Sequence, residues 1–274
     1  SFSFVAFGSE ARSEQTLVTD QDNGIIYENP PEGARESVHS YFVKLGHLVC
    51  DWLHSAGYKY CAGDIMAKNP KWCQPINKWL GYFTDRVSNS TPKDLFELNV
   101  FFDFRSVYGE DSFVSLLRSH LWSLIENRSV FFYQLTLGAL EYKPPLNFFG
   151  KIEVSDDQVG AFNIKKALTP IVNFARIYAL KHSITEVNTL SRLEQLLKKE
   201  VIKKSSFDEL LQAYSFLNQM RLSHQADQIQ KSITPDNFIL IDELTQIEKS
   251  LLTKIFSNIL VFQARLSSDF VKLS

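Results

Sequence analysis

Phe4-Val5-Ala6-Phe7-Gly8-Ser9-Glu10-Ala11-Arg12-Ser13-Glu14-Gln15, followed by Thr19-Asp20-Gln21-Asp22-Asn23-Gly24-Ile25-Ile26-Tyr27, is the stretch whose reading decides the fold. Its first half reads as a strand ending in a tight Gly-Ser turn and the start of a helix. Its second half reads as another strand. Alternate side chains of a strand share a face, so Asp20 and Asp22 point together and Gln21 points away. Two carboxylates this close repel one another unless a cation lies between them. Magnesium suits such an oxygen pair, because it takes one or two carboxylates together with phosphate oxygens. The turn offers the complement: glycine lets a backbone approach a ligand closely, and amides at a helix start cradle anions. Gly8 and Ser9 are therefore the candidate phosphate residues, and Asp20 and Asp22 the candidate metal ligands.

The remainder of the chain sets bounds on this reading. At 274 residues, 45% of them hydrophobic, there is enough sequence for one large or two ordinary folded domains. The formal net charge of −2 gives no general basic surface of the kind that neutralises nucleic-acid phosphates. Acids outnumber bases over residues 1–142, and bases outnumber acids over 143–274. Cys50, Cys61 and Cys73 are odd in number and lack C-x-x-C spacing, which argues against a disulfide framework and a zinc site and suits the reducing cytoplasm. No apolar run approaches the roughly 20 residues that span a membrane. The opening in strand-like sequence, without an initiator Met, reads as a fragment lying downstream of regulatory domains.

Working outward, Asn29-Pro30-Pro31-Glu32-Gly33 is a turn, and a helix is expected from about Ala34 to Ser55. Val38, Tyr41, Phe42, Leu45, Leu48, Val49 and Trp52 would form its packed face. Residues 61–72 have the composition of an irregular loop. Pro75 opens a short helix carrying Ile76, Trp79, Leu80 and Phe83. Residues 98–105 read as a buried strand in which Asp103 would be costly to bury unpaired, so it needs a cation or a hydrogen-bond network. An ion pair with Arg105 on the same face is one solution. A helical pattern spans 111–140 with a break near Asn127. The composition shift at Glu141-Tyr142-Lys143-Pro144-Pro145 marks a boundary between domains 1–142 and 143–274. Residues 146–166 look like a hairpin that adds to the first domain's sheet. Thr169-Pro170 is a helix entry with Thr as N-cap, and further helices at 189–203, 207–230 and 241–270 predict an antiparallel bundle. The fold class is α+β: a mixed sheet with flanking helices, then an all-helical domain.

The string GSEARSEQTLVTDQDNGIIY resembles the polymerase-β-type nucleotidyltransferase superfamily, whose signature is Gly-Ser, a spacer of about a dozen residues, then Asp-x-Asp. Within it the string is similar to a bacterial branch related to the uridylyltransferase of nitrogen signalling, which often follows CBS or cyclic-nucleotide-binding domains. The resemblance implies transfer of a nucleoside monophosphate from a nucleoside triphosphate to an acceptor hydroxyl of a protein or small molecule, with two Mg2+ ions held by Asp20, Asp22 and Asp103. It makes Asp103 the third carboxylate, acting on the attacking hydroxyl, and Arg12 an additional phosphate contact. Cys61-Ala62-Gly63-Asp64-Ile65-Met66-Ala67-Lys68-Asn69-Pro70-Lys71-Trp72 is similar to a second motif of that branch, which implies that Gly63, Asn69 and Trp72 shape the nucleotide or acceptor pocket. The alternative is a Trp that merely anchors a loop. The helical half resembles the branch's substrate-binding domain, which implies substrate contacts from Lys165, Arg176, Arg192, Arg221 and His224, across a cleft between the domains. Taken singly, each of these is also what a solvated or ion-paired helix residue looks like. The competing class is a catalytically degenerate module that senses nucleotide and signals to neighbouring domains.

Overall fold

The structure, a computed structural model, describes residues 1–89, 99–147, 150–154 and 159–271. By contact the chain forms two units, one of residues 1–15 and 19–128, the other of residues 16–18 and 129 onward.

In the first unit β1 (Phe2–Phe7) runs into a one-turn helix, α1 (Gly8–Ala11). Then come β2 (Asp20–Gln21), β3 (Asn23–Tyr27), α2 (Arg35–Ser55), β4 (Lys59–Tyr60), β5 (Cys73–Pro75), α3 (Ile76–Asn89), β6 (Phe104–Gly109) and α4 (Asp111–Ile125). The main sheet has the order β5-β3-β1-β6. β1 is antiparallel to β3 and β6, and β3 is parallel to β5, so the sheet is mixed. All five residues of β3 are buried, as expected of a strand covered on both faces. Phe4, Ile25, Tyr27 and Cys73 pack with Cys50 of α2 on one side. On the other, the Phe7 ring stacks on Trp79 of α3 at 5.7 Å, and the Trp79 indole N–H donates to the Ile25 carbonyl.

Helix α2 has the expected limits but a different rotation. Tyr41, Leu48 and Trp52 are exposed, at 63%, 52% and 65%. Val38, Phe42, Leu45, Val49 and Leu53 face the core around buried Gly46 and Cys50. Apolar residues lie most of the way round this helix, so periodicity alone does not orient it. Gly46 does: a Cβ there would lie 2.2 Å from the Ala67 carbonyl oxygen, so the helix backbone rests directly on the 61–72 loop.

Two expectations near Asp103 are corrected. Residue 98 lies outside the described residues, residues 99–102 form a 3-10 turn, and the strand begins only at Phe104. Asp103 therefore sits at the mouth of β6, not in its middle. The break near Asn127 is present, with Asn127 in the left-handed region at φ 56°.

The second unit holds α5 (Ser129–Leu140), β7 (Ala161–Asn163), α6 (Ile164–Lys181), α7 (Thr189–Lys198), α8 (Lys204–Gln230), β8 (Phe238–Leu240) and α9 (Gln246–Phe270). α6 touches each of the other four helices and is buried without interruption from Pro170 to Leu180, which is why its sequence is apolar all round. Because α5 packs on α6 and α9, the division falls at Arg128/Ser129 and not at Tyr142/Lys143. α6 starts six residues before Pro170: the Asn163 side chain caps it by accepting from the Lys166 amide, and Thr169 donates to the Lys165 carbonyl from inside the helix. The expected 146–166 hairpin is reduced to a bridge between Leu146 and Ile152, with residues 148–149 and 155–158 outside the described residues. Ala161–Asn163 pairs with Phe238–Leu240, within the second unit. The last helix begins at Gln246 behind a Thr245/Glu248 capping box. Among the described residues no helix is long and apolar enough to cross a membrane.

Candidate active site

The bend after β1 is where the acidic segments meet. Gly8 has φ 56°, the left-handed region that glycine enters without strain, so β1 can turn directly into α1. The Phe7 amide donates to the Asp22 carbonyl at 2.8 Å, and the Gly8 amide donates to the Asp103 carbonyl at 2.9 Å. Two adjacent amides of the bend thus tie down both the Asp-x-Asp strand and the entry to β6.

Asp22 lies at a change of partner along the second strand. β2 pairs in parallel with β4, whereas β3, starting one residue after Asp22, joins the main sheet. The residues flanking Asp22 point inward and fix it. Gln21 donates to the Cys50 carbonyl at 3.0 Å and to the Tyr58 carbonyl at 3.3 Å. Asn23 accepts from the Ala67 amide at 2.8 Å, and its own amide donates to the Ile65 carbonyl. Both side chains are fully buried. They draw the 61–72 loop against the site and bring Cys61 to it.

Asp20, Asp22 and Cys61 each place a ligand atom within 4.8 Å of the others. Burial pushes the Cys61 thiol up to about 11, and its hydrogen bond to the Asp22 carboxylate and that group's charge add to the shift. The sulfur is therefore a protonated neighbour at neutral pH. The donor set fits a hard divalent ion held through the two carboxylates, since a neutral thiol is a poor ligand for such a cation.

A further carboxylate stands beside Asp22. Burial, then the Asp22 charge, raise Glu10 to about 7, opposed by Arg105 and by a hydrogen bond from the Asp22 amide. Arg105 donates to the carbonyls of Ala11 and Glu10, both at 3.1 Å. Fully buried Asp103 pairs with Arg12 at 2.5 Å, and Arg12 also binds Glu14 at 2.7 Å. Burial alone would weaken the Arg12 charge, but the two carboxylates outweigh it and raise the guanidinium further. The ion-pair partner of Asp103 is thus Arg12 and not Arg105, and Arg12 is turned to carboxylates where a phosphate contact was expected. Asp103 is not among the ligand atoms grouped around Asp20 and Asp22.

The remaining candidates are placed as follows. Gly63 is exposed. Asn69 caps the 70–72 turn by accepting from the Lys71 amide while its own amide donates to Asp64. Trp72 is buried against Trp79, Tyr82 and Phe101. In the second unit Arg176, Arg192 and Arg221 are buried, and donate to the Asn173 side chain, the Glu186 carbonyl and the Asn237 side chain respectively. His224 contacts Asp236 at 3.0 Å, and Lys165 is exposed.

Residues 1–93 match the family described as putative nucleotidyltransferase DUF294, and residues 129–270 match the one described as putative nucleotidyltransferase substrate binding domain. The chain belongs to this nucleotidyltransferase family. The first match contains the bend, both Asp-x-Asp carboxylates and the Cys61 loop; the second coincides with the helical unit. No curated protein matches the chain. The features of this candidate site that sequence reasoning missed are the inward pair Gln21 and Asn23, the Cys61 thiol and the Glu10 carboxyl. The first two left a visible signal, as polar residues at the core-facing positions of a strand that is otherwise apolar. Glu10 left none, because its burial comes from how tightly α1 turns.

Proposed function

We propose that this nucleotidyltransferase transfers a nucleoside monophosphate from a nucleoside triphosphate to an acceptor hydroxyl in a magnesium-dependent reaction that releases pyrophosphate. The observation that carries the reading is the attachment of the Asp22 and Asp103 backbones to consecutive amides of one glycine bend, with Asp20 and Asp22 side by side. Asp20 and Asp22 would hold Mg2+, and Asp103 lies one hydrogen bond from the same bend. When bound, two ions stabilise the attacking and leaving oxygens of an in-line displacement. The Gly8 amide is already given to Asp103, so contact with the triphosphate falls to the Ser9 hydroxyl and the following first-turn amides, which have no acceptor within the helix. The acceptor oxygen forms its bond to the α-phosphorus as the bond to pyrophosphate breaks. Asp103, in contact with Arg12, would complete one metal site or take the proton that the acceptor hydroxyl loses.

The test is pyrophosphate release from each nucleoside triphosphate with Mg2+ and a cell lysate as acceptor source. Asp20→Asn and Asp22→Asn are expected to lower release by at least ~100-fold with unchanged circular dichroism; parent-like turnover in either variant overturns the assignment. The Arg12–Asp103 pair favours a second reading, a nucleotide-sensing module that binds without turnover, because it commits the third carboxylate to a cation supplied by the chain. Magnesium-dependent binding of a triphosphate without pyrophosphate release would establish that one.

A further inference from the structure

An aromatic cavity of about 210 Å3 lies within the first unit, walled by Trp72, Trp79, Tyr82, Phe83, Phe101 and Phe102. Its rim carries Lys71, Asp85 and Arg86. We propose that this cavity seats the nucleobase of the triphosphate; the proposal rests on the reading of the site as a nucleotidyltransferase centre.

Three observations carry it. The first is size and composition: an apolar cavity of about 150 Å3 takes up benzene, so this one has room for a larger planar ring, and its lining is mostly aromatic, the side-chain class against which bases stack irrespective of sequence. The second is position. β5 runs parallel to β3 in the register Ile25 opposite Cys73, so Trp72, just before β5, lies at the strand end from which Asp22 leads into β3. Phe101 and Phe102 immediately precede Asp103, whose carbonyl accepts from the Gly8 amide. Phe101 meets the ring of Phe7, the residue before that glycine, at 4.9 Å between centroids. The wall residues are thus chain neighbours of the bend proposed to hold the phosphates. The third is the rim: Lys71 and Arg86 offer donors and Asp85 an acceptor, the mixture that the polar edge of a base requires and a purely aliphatic occupant does not. Trp79 is pinned by its hydrogen bond to Ile25, and Lys71 lies 4.6 Å from the Trp72 ring, so the stacking surfaces are held in place before a ligand arrives.

The experiment uses uncharged nucleosides, so that neither metal nor phosphate contributes. Adenosine, guanosine, cytidine and uridine are titrated separately into the full chain without magnesium, and tryptophan emission is followed, since two of the four tryptophans line the cavity. At least one nucleoside is expected to quench saturably. Tyr82→Ala should weaken that binding by about 10-fold or more, the effect of removing one stacking surface, while Tyr82→Phe retains it and Asp22→Asn leaves it unchanged. Tyr82 is partly exposed, so its truncation is tolerable to the fold; Arg86→Ala, at the rim, supplies a second variant and should alter the preference among the four bases. No saturable quenching by any nucleoside, quenching indifferent to Tyr82→Ala, or saturation by tyrosine amide in place of nucleosides would overturn the proposal, the last by assigning the cavity to an aromatic acceptor. Nucleoside binding in the cavity of a chain that releases no pyrophosphate would sink the transfer reaction and leave the cavity assignment standing.

Discussion

Replacing Arg12 by Gln tests whether the charge at the bend is structural or substrate-directed. Arg12 is 12% exposed at its side chain, Asp103 is 0% and Glu14 is 8%, so the substitution removes a positive charge from beside two carboxylates that water scarcely reaches. Breaking a buried pair from one side costs about 3–5 kcal/mol, because the remaining charge keeps its desolvation penalty without its partner. The Arg12–Asp103 contact at 2.5 Å is buried on both sides and both carboxylates keep other contacts, so a loss at the lower end, about 3 kcal/mol, is expected. Urea titration followed by tryptophan emission reads the first unit, because all four tryptophans, Trp52, Trp72, Trp79 and Trp122, lie in it. Asp103→Asn alone should cost less, since Arg12 keeps Glu14. The double variant should be more stable than the sum of the single losses predicts, by ~1–3 kcal/mol of coupling. Arg12→Lys should fall between parent and Arg12→Gln, keeping the charge but losing the fork that spans two carboxylates. The reasoning fails if Arg12→Gln is within about 1 kcal/mol of the parent while KM for the triphosphate rises 10-fold or more. Arg12 would then belong to the phosphates, as the sequence motif alone suggests.

Glu10 gives a pH signature. The folded protein holds its proton up to about 7 against 4.5 in an unperturbed chain, so between those values the native state binds more protons than the unfolded one. Stability therefore falls as pH rises through that window, by at most ~3 kcal/mol at 1.36 per pH unit; Glu10→Gln should flatten the slope, and an unchanged slope in urea midpoints would exclude Glu10 as its source. Gly46→Ala should destabilise by about 1–3 kcal/mol although alanine is the better helix former, because its Cβ would meet backbone atoms of Ala67 at 2.2 and 2.6 Å; an unchanged or raised urea midpoint would mean that α2 can lift off the loop at little cost.

What the sequence disclosed and what it concealed divide along physical lines. The strand–bend–strand unit was legible because its requirements are local: φ beyond the reach of most residues at Gly8, and a period of two that sets Asp20 and Asp22 against Gln21. The start of α7 at Thr189, capped by Asn188, was legible for the same reason, whereas the starts capped by Asn163 and Thr245 were not. The rotation of α2 was not, since Tyr41, Leu48 and Trp52 are as apolar as the residues that pack, and only the tertiary approach of Ala67 to Gly46 selects between the faces. Pro170 suggested a helix start because its missing amide is harmless there. The chain instead begins the helix at Ile164, where Asn163 caps it and β7 pairs with β8, and carries the proline inside. The helical arginines were singled out as ligand contacts by resemblance alone; the sequence carried no sign that each lies buried with a nearby side chain or carbonyl as acceptor.

The placement of the two arginines at the bend bears on the chemistry more directly than the acids do. Acid pairs are common on protein surfaces, and a phosphate site needs cations from somewhere. Here Arg105 is given to the carbonyls of Glu10 and Ala11, and Arg12 to Asp103 and Glu14, so the guanidinium groups nearest the bend are already engaged with the chain's own oxygens. The same neighbourhood carries Glu10, Asp20 and Asp22, with a protonated Cys61 beside them. A triphosphate approaching Ser9 would meet like charge unless divalent ions came with it or were held there first. This distribution of charge is the ground for expecting the proposed reaction to depend on metal, and substitutions that free Arg12 from its carboxylates are the ones that should relax it.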